Sequence, residues 1–143
     1  MHQFLKYAWF QGKCVPFEQA TVSIATHALH YGTGAFGGMR AIPDPQDPFS
    51  ILLFRADKHA KRLSQSSHLL LTELTEETIL NALSSFLRAN KPQRPIYIRP
   101  FVYTSDLGIA PRLHNIETDF FIYGIELGDY LSPEGVSCRI SSW

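Results

Sequence analysis

A chain of 143 residues, 45% of them hydrophobic and 18% charged, suits one globular domain with or without a linker, and does not suit a disordered tail. Lys plus Arg number 13 and so do Asp plus Glu, which leaves no positive field to gather nucleic acid. No apolar run is long enough to span a bilayer and no signal peptide opens the chain, so a cytoplasmic location is expected; Cys14 and Cys138 provide neither a disulfide framework nor a CxxC site.

Tyr7-Ala8-Trp9-Phe10 reads as a strand, Gln11-Gly12 as a tight turn, and Lys13-Cys14-Val15 as the returning strand of a hairpin closed by Pro16. Residues 21–31 show no clean period. A glycine-dense stretch follows, with Gly32, Gly34, Gly37 and Gly38, and residues 35–42 are expected to be extended. Three prolines between 43 and 48 exclude a helix or a central strand, so that segment is an exposed loop joining 35–42 to an apolar strand over 49–54.

Residues 55–71 are expected to be helical, with Ala56, Ala60, Leu63 and Leu70 near a 3.6 period. A second helix runs from about Thr75 to Ala89. Thr75 suits its cap, Glu76 and Glu77 suit its positive end, and Asn90-Lys91-Pro92 stops it. Ile79, Leu80, Leu83, Phe86 and Leu87 form its apolar face. A strand over 96–103 then places Tyr97, Arg99, Phe101 and Tyr103 on one face and Ile96, Ile98 and Val102 on the other. Another strand covers 120–127. Residues 128–135 read as a linker and 136–143 as the start of a further extended run. Strands, two helices and strands in that order predict an α+β fold, a mainly antiparallel sheet with two helices.

Gly32-Thr33-Gly34-Ala35-Phe36-Gly37 fits GxGxxG, with Asp57 twenty residues beyond it. The context is wrong for a dinucleotide fingerprint, because no strand precedes it and a following helix would meet Pro43, Pro45 and Pro48. These glycines are expected to let the backbone turn or approach a neighbour closely. His27 and His30 sit at i, i+3 without further ligands at metal-site spacing, so packing or surface roles are expected. Arg62 is a solvated helix residue or an anion contact. Arg99, on a strand face with three aromatics, suits a carboxylate bearing an apolar tail. No GxSxG, HExxH or GK[ST] motif occurs, and none of the five lysines lies in an apolar setting that would lower its pKa.

Several segments together resemble one family. Trp9-Phe10-Gln11-Gly12, His27-Ala28-Leu29-His30-Tyr31-Gly32, Ala35-Phe36-Gly37-Gly38-Met39-Arg40, His59-Ala60-Lys61-Arg62-Leu63 and Tyr97-Ile98-Arg99-Pro100 resemble, in order and spacing, the N-terminal portion of branched-chain amino acid aminotransferases of pyridoxal phosphate fold type IV. The resemblance implies a small N-terminal α+β domain over 1–127, an interdomain linker over 128–135, and the first strand of a large domain over 136–143. It implies pyridoxal 5'-phosphate as cofactor, with Arg62 on its phosphate. Tyr31, Gly38, Arg99 and Tyr130 then shape the substrate pocket and its carboxylate site. Phe36 and Tyr97 line the pocket for the branched side chain, Arg40 ends the same motif, and the loop bearing Leu107 reaches a neighbouring subunit.

The implied reaction moves the amino group of Leu, Ile or Val to 2-oxoglutarate by a ping-pong route, as in branched-chain amino acid biosynthesis, in a homodimer or hexamer. Gly37 stands where the family usually has Glu. None of the five lysines matches the one that anchors the cofactor, so the 143 residues alone are expected to be inactive. D-amino acid aminotransferase, aminodeoxychorismate lyase and a non-catalytic binding or assembly domain are the alternatives.

Overall fold

The computed structural model describes residues 3–47, 49–126 and 134–141. Eight strands build one antiparallel sheet: β1 (Gln3–Phe4), β2 (Tyr7–Phe10), β3 (Lys13–Pro16), β4 (Gly34–Phe36), β5 (Met39–Pro43), β6 (Ile51–Leu53), β7 (Ile96–Thr104) and β8 (Thr118–Glu126). The spatial order is β3-β2-β8-β7-β5-β6, with β1 also on β8 and β4 also on β7. The α+β expectation holds. The count of two helices does not, since α1 (His27–Tyr31) precedes α2 (Ala56–His68) and α3 (Glu76–Asn90). A five-residue helix is too short to display a period, and Gly32 ends it at φ 65°.

Local chemistry explains the elements. Gln11 and Gly12 both have positive φ, as a two-residue hairpin turn demands. The hydroxyl of Thr75 accepts from the Thr78 amide and caps α3. At the other end, Asn90 joins the α3 terminus to β2 by accepting from the Tyr7 amide and donating to the Tyr7 carbonyl. The helix expected over 55–71 is shorter than its apolar pattern. Buried Ser67 donates to the carbonyls of Ser64 and Thr72, turning the chain after His68, and Leu69 and Leu71 are exposed. On α3, Leu80 points outward and Ala82 takes its place in the core.

β4 and β5 are two parts of one line opposite β7. Phe36 pairs with Phe101 and Met39 with Ile98 in a single continuous register, which sets Gly37 opposite Pro100 and Gly38 opposite Arg99. Pro100 has no amide hydrogen, so the ladder loses a rung there, although the Gly37 amide still donates to the Pro100 carbonyl at 3.0 Å.

Period-two alternation gives the sheet two unlike faces. Ile96, Ile98, Val102, Phe120 and Ile122 pack under α2 and α3 against Ala60, Leu63, Ile79, Ala82, Leu83 and Phe86, and this layer is the core. The opposite face carries Tyr97, Arg99, Phe101 and Tyr103 on β7, beside Phe121 and Tyr123 on β8. Neither α2 nor α3 covers it. Residues 136–141 form no hydrogen-bonded strand. Residues 128–133 of the expected linker, and Tyr130 with them, lie outside the described residues.

Candidate functional site

The face turned away from α2 and α3 is aromatic and carries two cations, Arg40 and Arg99. Phe36 stacks on Phe101 with an interplanar angle of 3°, and Phe101 stacks on Phe121 in the same way. The Arg99 guanidinium lies 4.7 Å from the centre of the Phe36 ring and 5.3 Å from that of Tyr97. Its Nε and Nη2 both donate to the Tyr97 hydroxyl at 3.2 Å. That bond, above all, raises the Arg99 pKa beyond its ordinary value; burial opposes it, and Tyr123 across the ladder adds to it. No carboxylate forms an ion pair with Arg99 among the described residues. A fixed fork of positive charge over apolar rings has the chemistry to accept a carboxylate with an apolar substituent.

Gly38 completes this corner. A Cβ at Gly38 would sit 2.5 Å from the Tyr97 hydroxyl oxygen and 2.8 Å from its ring, so only glycine leaves the ring in place. Arg40 pairs with Tyr97 on the same face and is exposed. Phe36, Gly38, Arg40, Tyr97 and Arg99 are therefore brought together.

Arg62 lies on the other side of the sheet. A Cβ at Gly37 would stand 3.4 Å from Pro100 and 3.7 Å from Arg62 Nη2, so the bare Gly37 backbone adjoins the guanidinium. Arg62 is exposed and has no ion pair among the described residues. Burial, and then the charge of Arg62, lowers the pKa of neighbouring His59. An unneutralised planar fork beside a bare glycine is a donor set that fits a phosphate monoester. The GxGxxG segment is no dinucleotide loop, because Gly34–Phe36 is a strand.

Tyr31 and Leu107 both lie where α1 and its cap meet the segment after β7. The Tyr31 hydroxyl donates to the carbonyl of Ile109, and Leu107 bridges to Thr26 while remaining 62% exposed. His27 is a packing residue, 2% exposed, hydrogen-bonded through both ring nitrogens. Tyr123 was not singled out from the sequence. Its place on the Arg99 face follows from the β7–β8 register, which period alone does not reveal.

All five lysines are exposed, and Lys6 stacks on Tyr7 at 5.1 Å. No helix among the described residues is long and apolar enough to cross a membrane.

No family model matches the chain. It is 59% identical over 143 residues to a probable branched-chain-amino-acid aminotransferase of Synechocystis sp., covering 100% of this chain and 47% of that protein. The branched-chain aminotransferase of Thermoproteus uzoniensis, solved with norvaline, superposes with a TM-score of 0.84 at 30% identity, over 100% of this chain and 47% of the other. The branched-chain amino acid aminotransferase of Thermobaculum terrenum, solved in its PLP-bound holo-form, gives 0.73 at 29% identity, over 85% and 40%. The chain thus spans about half the length of the curated relatives it matches. In sequence and in fold it corresponds to the N-terminal portion of branched-chain amino acid aminotransferases.

Proposed function

We propose that this chain supplies the substrate-carboxylate and cofactor-phosphate contacts of a branched-chain amino acid aminotransferase. The observation that carries the reading is Arg99, locked by Tyr97 over Phe36 and left without a carboxylate partner among the described residues. A branched-chain amino acid and 2-oxoglutarate both present a carboxylate, and the first adds an apolar tail. The relatives solved with norvaline and in the PLP-bound holo-form support the same ligand classes here.

In this reading Arg99 and Tyr97 orient the substrate carboxylate, and Phe36 and Tyr97 exclude water around its side chain. Gly38 keeps the ring and guanidinium in register, and Arg40 flanks them. Arg62 holds the phosphate of pyridoxal 5'-phosphate. The bound cofactor supplies the electron sink that makes the α-proton acidic. Tyr31 shapes the substrate pocket with Arg99 and Tyr97, and the loop bearing Leu107 reaches a neighbouring subunit's site, in a cytoplasmic homodimer or hexamer. Tyr130 adds to the pocket. Residues 1–127 form the small domain, 128–135 the linker, and 136–143 open the large domain.

No lysine of this chain joins the Arg99 cluster, so the amine that anchors the cofactor and moves the α-proton belongs elsewhere in the enzyme. The test is turnover of leucine, isoleucine and valine with 2-oxoglutarate, set beside D-alanine and aminodeoxychorismate. The reading expects branched-chain turnover by the protein that extends beyond residue 143 and none by residues 1–143 alone. Turnover of only the last two substrates, or turnover by the short chain, overturns it.

A further inference from the structure

His27 and Tyr31 stand one turn apart on α1, so their side chains share a face of that helix. Both reach the loop that follows β7. The His27 amide donates to the Asp106 carbonyl at 2.9 Å, and His27 Nε2 lies 3.0 Å from the Ala110 carbonyl. The Tyr31 hydroxyl donates to the carbonyl of Ile109, between them in that loop. Three carbonyls within five residues are thereby held from two positions on one helix.

The chemistry fixes the form of His27. A carbonyl only accepts, so Nε2 carries a hydrogen and donates. Nδ1 lies 2.9 Å from the Thr104 hydroxyl and 3.0 Å from the Thr33 hydroxyl, and these two hydroxyls also bond to each other. Thr104 ends β7 and Thr33 directly precedes β4, so the ring is braced against the two strands that carry Arg99 and Phe36. Its face packs on Tyr31 with centroids 4.6 Å apart. The loop secured in this way holds two large apolar side chains in solvent: Leu107 is 62% exposed and Ile109 88%. Apolar side chains held outward on a fastened loop are placed to meet something beyond the chain's own core.

We infer that His27 is a positioning residue for substrate binding. It touches no substrate. It fixes the loop over residues 105–110 and the Tyr31 ring relative to β7, and through them sets where Leu107 and Tyr31 stand. This rests on the transaminase reading for its effect on substrate, whereas the tether itself is independent of that reading.

The experiment uses the holoenzyme with three variants. His27→Phe keeps the ring packing and loses the hydrogen bonds of both ring nitrogens. His27→Gln keeps a donor near the Nε2 position. Thr104→Val removes one hydroxyl at nearly constant volume and serves if His27→Phe does not fold. Amide exchange over residues 105–112 should quicken about tenfold in His27→Phe and Thr104→Val, with β7 and β8 unchanged. The KM for the amino donor should rise about tenfold while kcat stays within about threefold, and His27→Gln should restore most of the difference. Unchanged exchange in the loop overturns the tether. Faster exchange with unchanged KM overturns the positioning role. A wild-type protein that transaminates nothing fails the functional reading, and exchange then decides the tether by itself.

Discussion

Gly38 lies so close to Tyr97 that an added Cβ would stand 2.5 Å from the phenolic oxygen and 3.0 Å from Cζ. The ring cannot swing aside freely, because its hydroxyl accepts from both Nε and Nη2 of Arg99. A glycine with no special turn to make is thus held in place by what stands beside it.

Gly38→Ala tests this contact. The methyl must push the Tyr97 ring away or shift β5, and overpacking of this kind costs about 1–3 kcal/mol. Either movement carries the Arg99 fork with it. Thermal unfolding should show a lower Tm, and the KM for carboxylate substrates should rise. A variant with unchanged Tm and KM would show that the corner is more yielding than its geometry implies.

Arg99→Lys keeps the charge and discards the planar fork. A lysine ammonium cannot hold Tyr97 with two parallel donors and also face a carboxylate side-on. Charge-assisted hydrogen bonds are worth about 1.5–3 kcal/mol, so KM for leucine and for 2-oxoglutarate should each rise roughly 10- to 150-fold. In the proposed reading leucine and 2-oxoglutarate share an α-carboxylate, so steady-state kinetics should find the two losses alike. A loss confined to one substrate would place Arg99 away from the shared group.

Tyr103 provides a pH signature. Burial first, then the charge of Asp119 and the 3.2 Å hydrogen bond to it, push the phenol well above its ordinary value. A folded pKa above the unfolded one means that the unfolded chain releases its proton first as pH rises. The stabilisation is therefore whole below the ordinary tyrosine value of about 10 and declines as pH climbs beyond it. Tyr103→Phe should lose about 1 kcal/mol at neutral pH, the hydrogen bond, and should show a flatter stability curve above pH ~10. Denaturant unfolding from pH 8 to 11 measures both. Parallel curves for the two proteins across that range would remove Tyr103 as the titrating group.

Much of the frame was legible in the chain because it rests on local chemistry. Gln11-Gly12 marks a hairpin turn by its need for positive φ, Thr75 marks a helix start by its hydroxyl, and alternation along 96–103 assigns each residue to a face. Helix α1 was not legible. One turn of helix has too few residues to show a period, and it is maintained by contacts with residues 104–110, more than seventy positions away. The end of α2 was misjudged for a similar reason. Leu69 and Leu71 continue the apolar pattern, yet the buried Ser67 hydroxyl makes the turn.

The residue types at the site were visible in order along the chain, and so was the pairing of Tyr97 with Arg99 on one strand face. Strand register decided the rest. The register between β4–β5 and β7 sets Gly38 opposite Arg99 on the open face and Gly37 opposite Pro100 on the helix side, beside Arg62. The register between β7 and β8 adds Tyr123 to the Arg99 face. Sequence by itself determined which side chains alternate to which side of a strand, because that depends only on the two-residue repeat of the extended backbone. Tertiary structure alone decided which faces meet and that His27 and Tyr31 fasten the segment bearing Leu107, because hydrogen-bond register and long-range packing join residues that share no local signal.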